Sequence, residues 1–184
     1  MNERILVAGI NKIDPCRFTK TTGSMTNILD TLNKPNGGLW GSTYTPDATY
    51  PSDWIRWVKE EDYKVNRYNH GISFTLSNNA TICEIDSAET YREIIKPYAV
   101  EIRRSSSPIF HNTLVLDWNK ISKKYDVFHL TEYAFWSMRL PIDDRLKTDM
   151  GYLPNFYSYD CETWIIFNLE CIDHESILRH RFDL

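Results

Sequence analysis

Two carboxylates stand immediately before the most apolar run of the chain. Asp160 and Glu162 flank Cys161, and the run TWIIF follows at residues 163–167. Side chains alternate along a strand, so we expect those of residues 160 and 162 to share one side, with that of Cys161 opposite. Such a pair either raises the pKa of one carboxyl and takes part in chemistry, or forms an ordinary solvated strand entrance. Both interpretations stay open.

A glycine-rich stretch surrounds one Trp and one Ser. Residues 34–47 have the sequence KPNGGLWGSTYTPD, in which three glycines leave little bulk around Trp40 and Ser42. Glycine allows a backbone to approach a ligand or another chain segment closely. The spacing matches neither the dinucleotide fingerprint GxGxxG nor the phosphate-binding loop. The stretch therefore predicts either a tight turn into a core strand or the floor of a small-molecule pocket.

The cysteines and histidines give weaker indications. Cys171 and His174 have a spacing found in some zinc sites, and His180 lies a little further on. A structural zinc needs four ligands, so two more would have to come from elsewhere. The alternative is a C-terminal tail with surface histidines. Since GxSxG and CxxC are both absent from the sequence, a Ser-His-Asp nucleophile and a redox motif are not indicated.

Composition narrows the classes of function. The chain has 184 residues and a net charge of −4 with the two signs interspersed, so direct nucleic-acid binding is not expected. The apolar run at residues 5–10 is too short for a signal peptide or a membrane span. We therefore expect a cytoplasmic protein without membrane association and with reduced cysteines. Its 6 Trp, 11 Tyr and 8 Phe suit both a core and a recognition surface.

The elements that position these residues are predicted to be short. Hydrophobic periodicity and turn residues predict strands over residues 3–10, 38–44, 71–76, 81–85, 114–116, 126–130 and 163–167, and helices over residues 24–32, 53–58, 87–95 and 118–125. The Asn pair between the third and fourth strands predicts a hairpin, and residues 141–155 are predicted to form a long loop. Trp54, Trp57 and Val58 are expected on one face of their helix. The whole chain, 1–184, is predicted to be one α+β domain.

Several segments taken in order resemble one family. They are KIDPCRF, KPNGGLWGS, LDWNKISKKYDVFHLTE and YSYDCETWIIFNLECI, and together they resemble a group of often phage-encoded proteins related to ADP-ribosyltransferases. The resemblance implies a split, mixed or antiparallel β-sheet with short flanking helices that clasps NAD in a central cleft. It also implies that a His or Arg on the first strand holds the nicotinamide ribose and that an aromatic or Ser/Thr residue on the second strand forms a wall of the NAD site. A Glu late in the chain would contact the ribose 2′-hydroxyl.

Carried over residue by residue, the resemblance implies roles in catalysis or NAD binding for four residues of this chain. Glu162 would be the catalytic acid, and Trp40, Ser42 and Gly38 would bind the NAD cofactor. Trp40 would stack on the cationic nicotinamide ring. Glu162 would stabilise an oxocarbenium-like ribose electrostatically.

The first strand departs from the family pattern. Val7 or Ala8 stands where a His or Arg is expected, and neither side chain can donate a hydrogen bond. Two hypotheses therefore stay open. One is transfer of ADP-ribose from NAD to a host macromolecule, and the other is a non-enzymatic phage-type inhibitor that blocks a host defence protein such as a CRISPR nuclease. The many aromatic residues suit the second, because Trp and Tyr anchor interfaces well. Both place the protein in the host cytosol with a host protein as its partner.

Overall fold

The structure is a computed structural model that describes residues 3–21, 34–101, 114–138, 144–149, 151–154, 156 and 159–184. The strands are β1 (Arg4–Ala8), β2 (Leu39–Thr43), β3 (His70–Leu76), β4 (Ile82–Ile85), β5 (Ala99–Glu101), β6 (Leu114–Leu116), β7 (Val127–Leu130), β8 (Lys147–Thr148), β9 (Gly151–Tyr152), β10 (Thr163–Ile166) and β11 (Ile172–Arg181). The helices are α1 (Asp53–Glu60), α2 (Val65–Tyr68), α3 (Ala88–Ile95), α4 (Trp118–Lys124) and α5 (Glu132–Ser137). The predicted α+β class is confirmed. The helix predicted over residues 24–32 lies outside the described residues.

Local capping explains where three of the predicted helices begin. The side chains of Ser52, Ser87 and Asp117 each accept a hydrogen bond from the third residue beyond them. Such a bond satisfies one of the backbone N–H groups that a helix start leaves without a partner. The helices predicted from these caps are therefore confirmed as α1, α3 and α4.

One mixed sheet organises the described part of the chain. Its seven strands have the order β11-β3-β1-β2-β10-β7-β4. All neighbours are antiparallel except β4 and β7, which are parallel. Consequently the carboxyl ends of β2, β4 and β7 meet the amino end of β10 at one edge. No helix among the described residues is long and apolar enough to cross a membrane.

The sheet has a different cover on each face. On one face, helices α3, α4 and α5 pack against β4, β7 and β10, and we call this the helical face. On the other face, which we call the second face, apolar side chains of β1, β3, β7 and β10 form a separate cluster with the start of β11. All four residues of β10 are buried, as its continuous apolar run predicted.

Two predictions about the elements are wrong, and one about α1 holds. β3 and β4 do not form a hairpin, because β3 pairs with β1 and β11 whereas β4 pairs with β7. The C-terminal segment is not a tail, since β11 lies along β3 with a bulge between Asp173 and Leu178. On α1, the predicted shared face is present, since Trp54 stacks on Trp57 at 4.9 Å and Val58 lies one turn beyond Trp54, while the buried residues of the helix are Ile55 and Val58.

Candidate functional site

A cavity of about 350 Å³ opens on the helical face, between strands β1, β2 and β10 and helices α1 and α2. Four aromatic side chains line it: Trp40, Trp54, Tyr68 and Tyr159. The ring centroids of Trp40 and Tyr159 lie 5.9 Å apart, and the ring of Trp54 meets that of Tyr68 edge-on at 5.5 Å. The volume lies within the range of small-molecule pockets, which are mostly apolar with a few polar groups.

Charged side chains of both signs reach the same cavity. Lys34 Nζ lies 3.3 Å from the Asp160 carboxylate and 5.5 Å from the centre of the Tyr159 ring. Arg67 lines another part of the wall, with its guanidinium 5.6 Å from the centre of the Tyr68 ring. The cavity thus combines flat aromatic surfaces with two cations and one carboxylate.

The glycines before Trp40 fix the position of its ring. Gly37 and Gly38 have φ angles of +85° and +78°, which side chains with a Cβ rarely adopt. A Cβ on Gly37 would also lie only 2.5 Å from the carbonyl oxygen of Thr19. With the chain turned in this way, the Trp40 Nε1–H donates to the carbonyl oxygen of Gly37 at 3.0 Å. The stretch is both a tight turn and part of a pocket wall.

Gly38 itself serves close packing rather than the aromatic cavity. A Cβ there would lie 2.8 Å from the Ile165 side chain of β10. Gly38 lines a neighbouring cavity of about 620 Å³ that includes residues 9–14 and 17–19. Trp40 also lines this second cavity, so one residue contributes to the walls of both.

Ser42 is not part of the cavity wall. Its side chain is fully buried, and Ser42 Oγ accepts a hydrogen bond from the backbone N–H of Trp54 at 3.4 Å. The serine therefore connects β2 to the start of α1. Val7 and Ala8 are the β1 residues that stand where the resemblance implies a His or Arg. Ala8 lines the cavity, whereas Val7 belongs to the apolar cluster of the second face.

Glu162 lies in a separate polar network. Its Oε2 accepts from the backbone N–H of Thr43 at 2.9 Å, and its Oε1 accepts from the Thr43 hydroxyl at 2.8 Å. The ring of His129 contributes a third contact, with Nε2 2.9 Å from Oε1. Both Glu162 and His129 are buried. The other ring nitrogen of His129 lies 3.1 Å from the carboxylate of Glu84, which is about half exposed.

The predicted site residues therefore do not converge. The side chains of Trp40 and Ser42 lie on the helical face of β2. Glu162 instead bonds to Thr43, which follows Ser42 in β2 and has its side chain on the second face. The expectation that Asp160 and Glu162 share one side is also wrong. The strand begins only at Thr163, so alternation does not extend to residue 160, and Asp160 lines the aromatic cavity together with Cys161.

Two further groups near the carboxylates have perturbed pKa values. Burial, followed by the negative charge of Glu132, raises the pKa of Asp53, whose carboxylate accepts the backbone N–H of Glu162. Burial and the charge of Glu162 raise the pKa of the Cys161 thiol well above its usual range. A neutral buried thiol is a poor nucleophile, so Cys161 serves as a packing residue of the cavity wall.

The hypothetical zinc ligands are not grouped. Among the residues that the structure describes, no set of three or more His, Cys, Asp and Glu side chains could hold a metal ion. Cys171 is buried under the second face, while His174 is exposed on β11. His180 instead bonds to Ser73 Oγ at 2.7 Å.

Sequence reasoning missed three members of the polar network, namely Thr43, Glu84 and His129. A weak indication was present, because His129 is the one strongly polar residue within the apolar strand VFHL. Such a residue in a buried strand needs hydrogen-bond partners. Its partners could not be predicted, since they come from strands that only the fold brings together.

The chain was compared with protein-family models, with curated proteins and with solved structures, and none of the three comparisons gives a match.

Proposed function

We propose that this protein binds a nucleotide in the aromatic cavity of the helical face, and that the nucleotide is NAD. The observation that carries the proposal is the joint presence of aromatic walls and cations around one space of ligand size. Stacking of a base on an aromatic side chain contributes about 1–3 kcal/mol, and arginine and lysine are the usual partners of phosphate oxygens.

Each lining group has a defined task in this proposal. A planar ring stacks against Trp40 or Tyr159, and cation–π attraction favours the positively charged nicotinamide. Arg67 binds the phosphates through its guanidinium. Lys34 leaves Asp160 for a phosphate oxygen, which frees that carboxylate to accept hydrogen bonds from ribose hydroxyls.

Transfer of ADP-ribose to a host macromolecule is the reaction that the resemblance implies. In this cavity the acid beside the ribose is Asp160, because the Glu162 carboxylate lies on the second face. The Asp160 charge would stabilise an oxocarbenium-like ribose while nicotinamide leaves. Ala8 cannot supply the hydrogen bond of a first-strand His or Arg, so Arg67 and Lys34 would be the basic residues that hold the substrate.

Calorimetric titration tests the binding proposal. NAD, AMP and uncharged adenosine are titrated into the wild type and into Arg67→Ala, with Arg179→Ala as the control. Arg179 is exposed on β11, away from the cavity. The Arg179→Ala variant therefore removes one positive charge, as Arg67→Ala does, but leaves the cavity lining intact. We expect NAD and AMP to bind the wild type and the control equally well, and Arg67→Ala at least tenfold more weakly. Equal affinity for all three proteins would contradict the proposal, as would absence of binding to the wild type.

Incubation with labelled NAD and a host lysate tests the transfer reaction. We expect labelling of a host macromolecule by the wild type, and a loss of labelling with Asp160→Asn. Asp47→Asn, which removes an exposed carboxylate from outside the cavity lining, serves as the control. Labelling that survives in Asp160→Asn would show that this carboxylate does not take part in the reaction.

A second candidate function, binding of a host defence protein, is favoured by helix α5. Tyr133 and Trp136 on this short helix are 72% and 55% exposed, and large exposed aromatics are frequent interface anchors. Pull-down from a host lysate with the wild type and with Tyr133→Ser tests it. Retention of one specific protein by the wild type, reduced in the variant, supports this candidate. Equal retention by both rejects α5 as the binding surface.

A further inference from the structure

The second cavity, of about 620 Å³, lies at the edge of the sheet where β1 ends and β2 begins. Its volume lies within the range of small-molecule sites. The lining comes from the segment after β1, the turn before β2 and the short turn after β10. Three of the four glycines with a left-handed φ among the described residues belong to it, namely Gly9, Gly37 and Gly38. The backbone around this cavity therefore has a shape that residues with a Cβ rarely adopt.

The walls of the second cavity are largely apolar. Six lining side chains are apolar and only partly buried: Ile10, Ile13, Phe18, Leu39, Trp40 and Leu169. Four of these six pack against the apolar cluster of the second face, so the fold holds them in place. Their remaining accessible surface is available to a ligand, and its removal from water would favour binding.

Positive charge predominates among the polar side chains of the same lining. Lys12 and Arg17 both belong to it, and both are exposed. Lys12 forms no ion pair with any residue that the structure describes. Arg17 lies 3.7 Å from Asp14, whose carboxylate also accepts the backbone N–H of Cys16 at 3.1 Å. With two cations and one carboxylate, the lining carries one net positive charge that is available to an anion.

We propose that the second cavity binds a small amphipathic carboxylate. Its apolar body lies against Phe18 and the aliphatic side chains of the wall, and its carboxylate meets Lys12 and Arg17. A neutral apolar ligand would lose this charge contact, and a cationic one would be repelled. The inference does not rest on the proposed nucleotide site, because Trp40 is the one described residue that lines both cavities.

Calorimetric titration without nucleotide tests the proposal with three ligands of equal chain length. Octanoate, octanol and octylammonium carry the same apolar chain on an anionic, a neutral and a cationic head group. We expect octanoate to bind the wild type saturably with one molecule per chain, octanol to bind more weakly and octylammonium to bind most weakly. Equal affinities for the three ligands would overturn the proposal, as would absence of saturable octanoate binding.

A matched pair of lysine variants tests the charge contact. Lys12 and Lys124 are both exposed, but only Lys12 lines the second cavity. We expect Lys12→Met to bind octanoate about threefold more weakly, as the loss of an exposed charge contact predicts, and to bind octanol as the wild type does. Lys124→Met should bind both ligands like the wild type. Equal octanoate affinities of the two variants would contradict the proposed carboxylate contact.

Two further variants locate the ligand. Phe18→Ala removes part of the apolar wall of the second cavity, whereas Arg67→Ala removes a cation of the aromatic cavity. We expect Phe18→Ala to bind both octanoate and octanol about fivefold more weakly, and Arg67→Ala to bind them unchanged. Octanoate binding that is weakened in Arg67→Ala and unchanged in Phe18→Ala would place the ligand in the aromatic cavity and overturn the proposal. Phe18 is only partly buried, and near-ultraviolet circular dichroism shows whether its variant keeps the fold.

Discussion

Replacement of Glu162 by Ala should destabilise the fold strongly, whatever its effect on chemistry. The substitution removes the acceptor for three donors, namely both donors of Thr43 and the ring N–H of His129. Breaking a buried pair by removing one partner typically costs about 3–5 kcal/mol. Since total stabilities are about 5–15 kcal/mol, this loss is a large fraction of the whole.

Urea unfolding followed by circular dichroism measures this effect. With a slope of about 2 kcal/mol per molar urea, the midpoint should fall by about 2 M in Glu162→Ala. Glu162→Gln keeps one acceptor oxygen and should lose less. The control Glu170→Ala removes an exposed carboxylate and should change stability by less than about 0.5 kcal/mol. If Glu162→Ala unfolds at the same urea concentration as this control, the structural role given to Glu162 is refuted.

Three further predictions concern a turn, a histidine and the thiols. Gly37→Ala should lower the stability of the folded protein by about 2 kcal/mol or more, because the left-handed φ of residue 37 and a close backbone oxygen both oppose a Cβ at this position. Thermal unfolding of the variant and the wild type measures this loss. Burial, followed by the charge of Arg4, lowers the pKa of His180. The neutral ring of His180 therefore contributes to the stability of the fold above about pH 6.5, and this contribution should be lost as the pH falls below about 6.5. A proton NMR titration should place the His180 midpoint below 6.5, and a midpoint at or above this value would contradict it. Iodoacetamide should modify the exposed Cys16 first and leave the buried Cys161 unmodified in the folded protein, which mass spectrometry of the peptides reports.

Features set by local physics could be predicted from the sequence. The caps at Ser52, Ser87 and Asp117 act on their own helix starts, and the buried strand β10 follows from its continuous apolar run. The glycine-rich stretch indicated either a turn or a pocket floor, and the structure has a turn at Gly37 and Gly38 directly before a residue of a cavity wall, Trp40. These features need only the residues next to them in the chain.

Features that depend on distant strands could not be predicted. The Asn pair at residues 78–79 does mark a turn, but β4 pairs with β7, about 45 residues further along the chain. The same pairing brings Glu84 to His129. The register of β10 then determines that Glu162 meets Thr43 rather than Ser42, and a shift by one residue would exchange the two faces. The polar network therefore follows from strand pairing, which the local sequence does not encode.

Titration of NAD into the wild type and into Trp40→Ala tests the central claim most directly. Loss of one stacking surface costs about 1–3 kcal/mol, so Trp40→Ala should bind NAD about 5- to 150-fold more weakly. Near-ultraviolet circular dichroism shows whether the variant keeps its fold, and Arg67→Ala provides a second cavity variant at an exposed position. NAD binding by the wild type with a weaker affinity in both variants is the predicted result. Absence of binding to the wild type, or unchanged affinity in both folded variants, would contradict the nucleotide site.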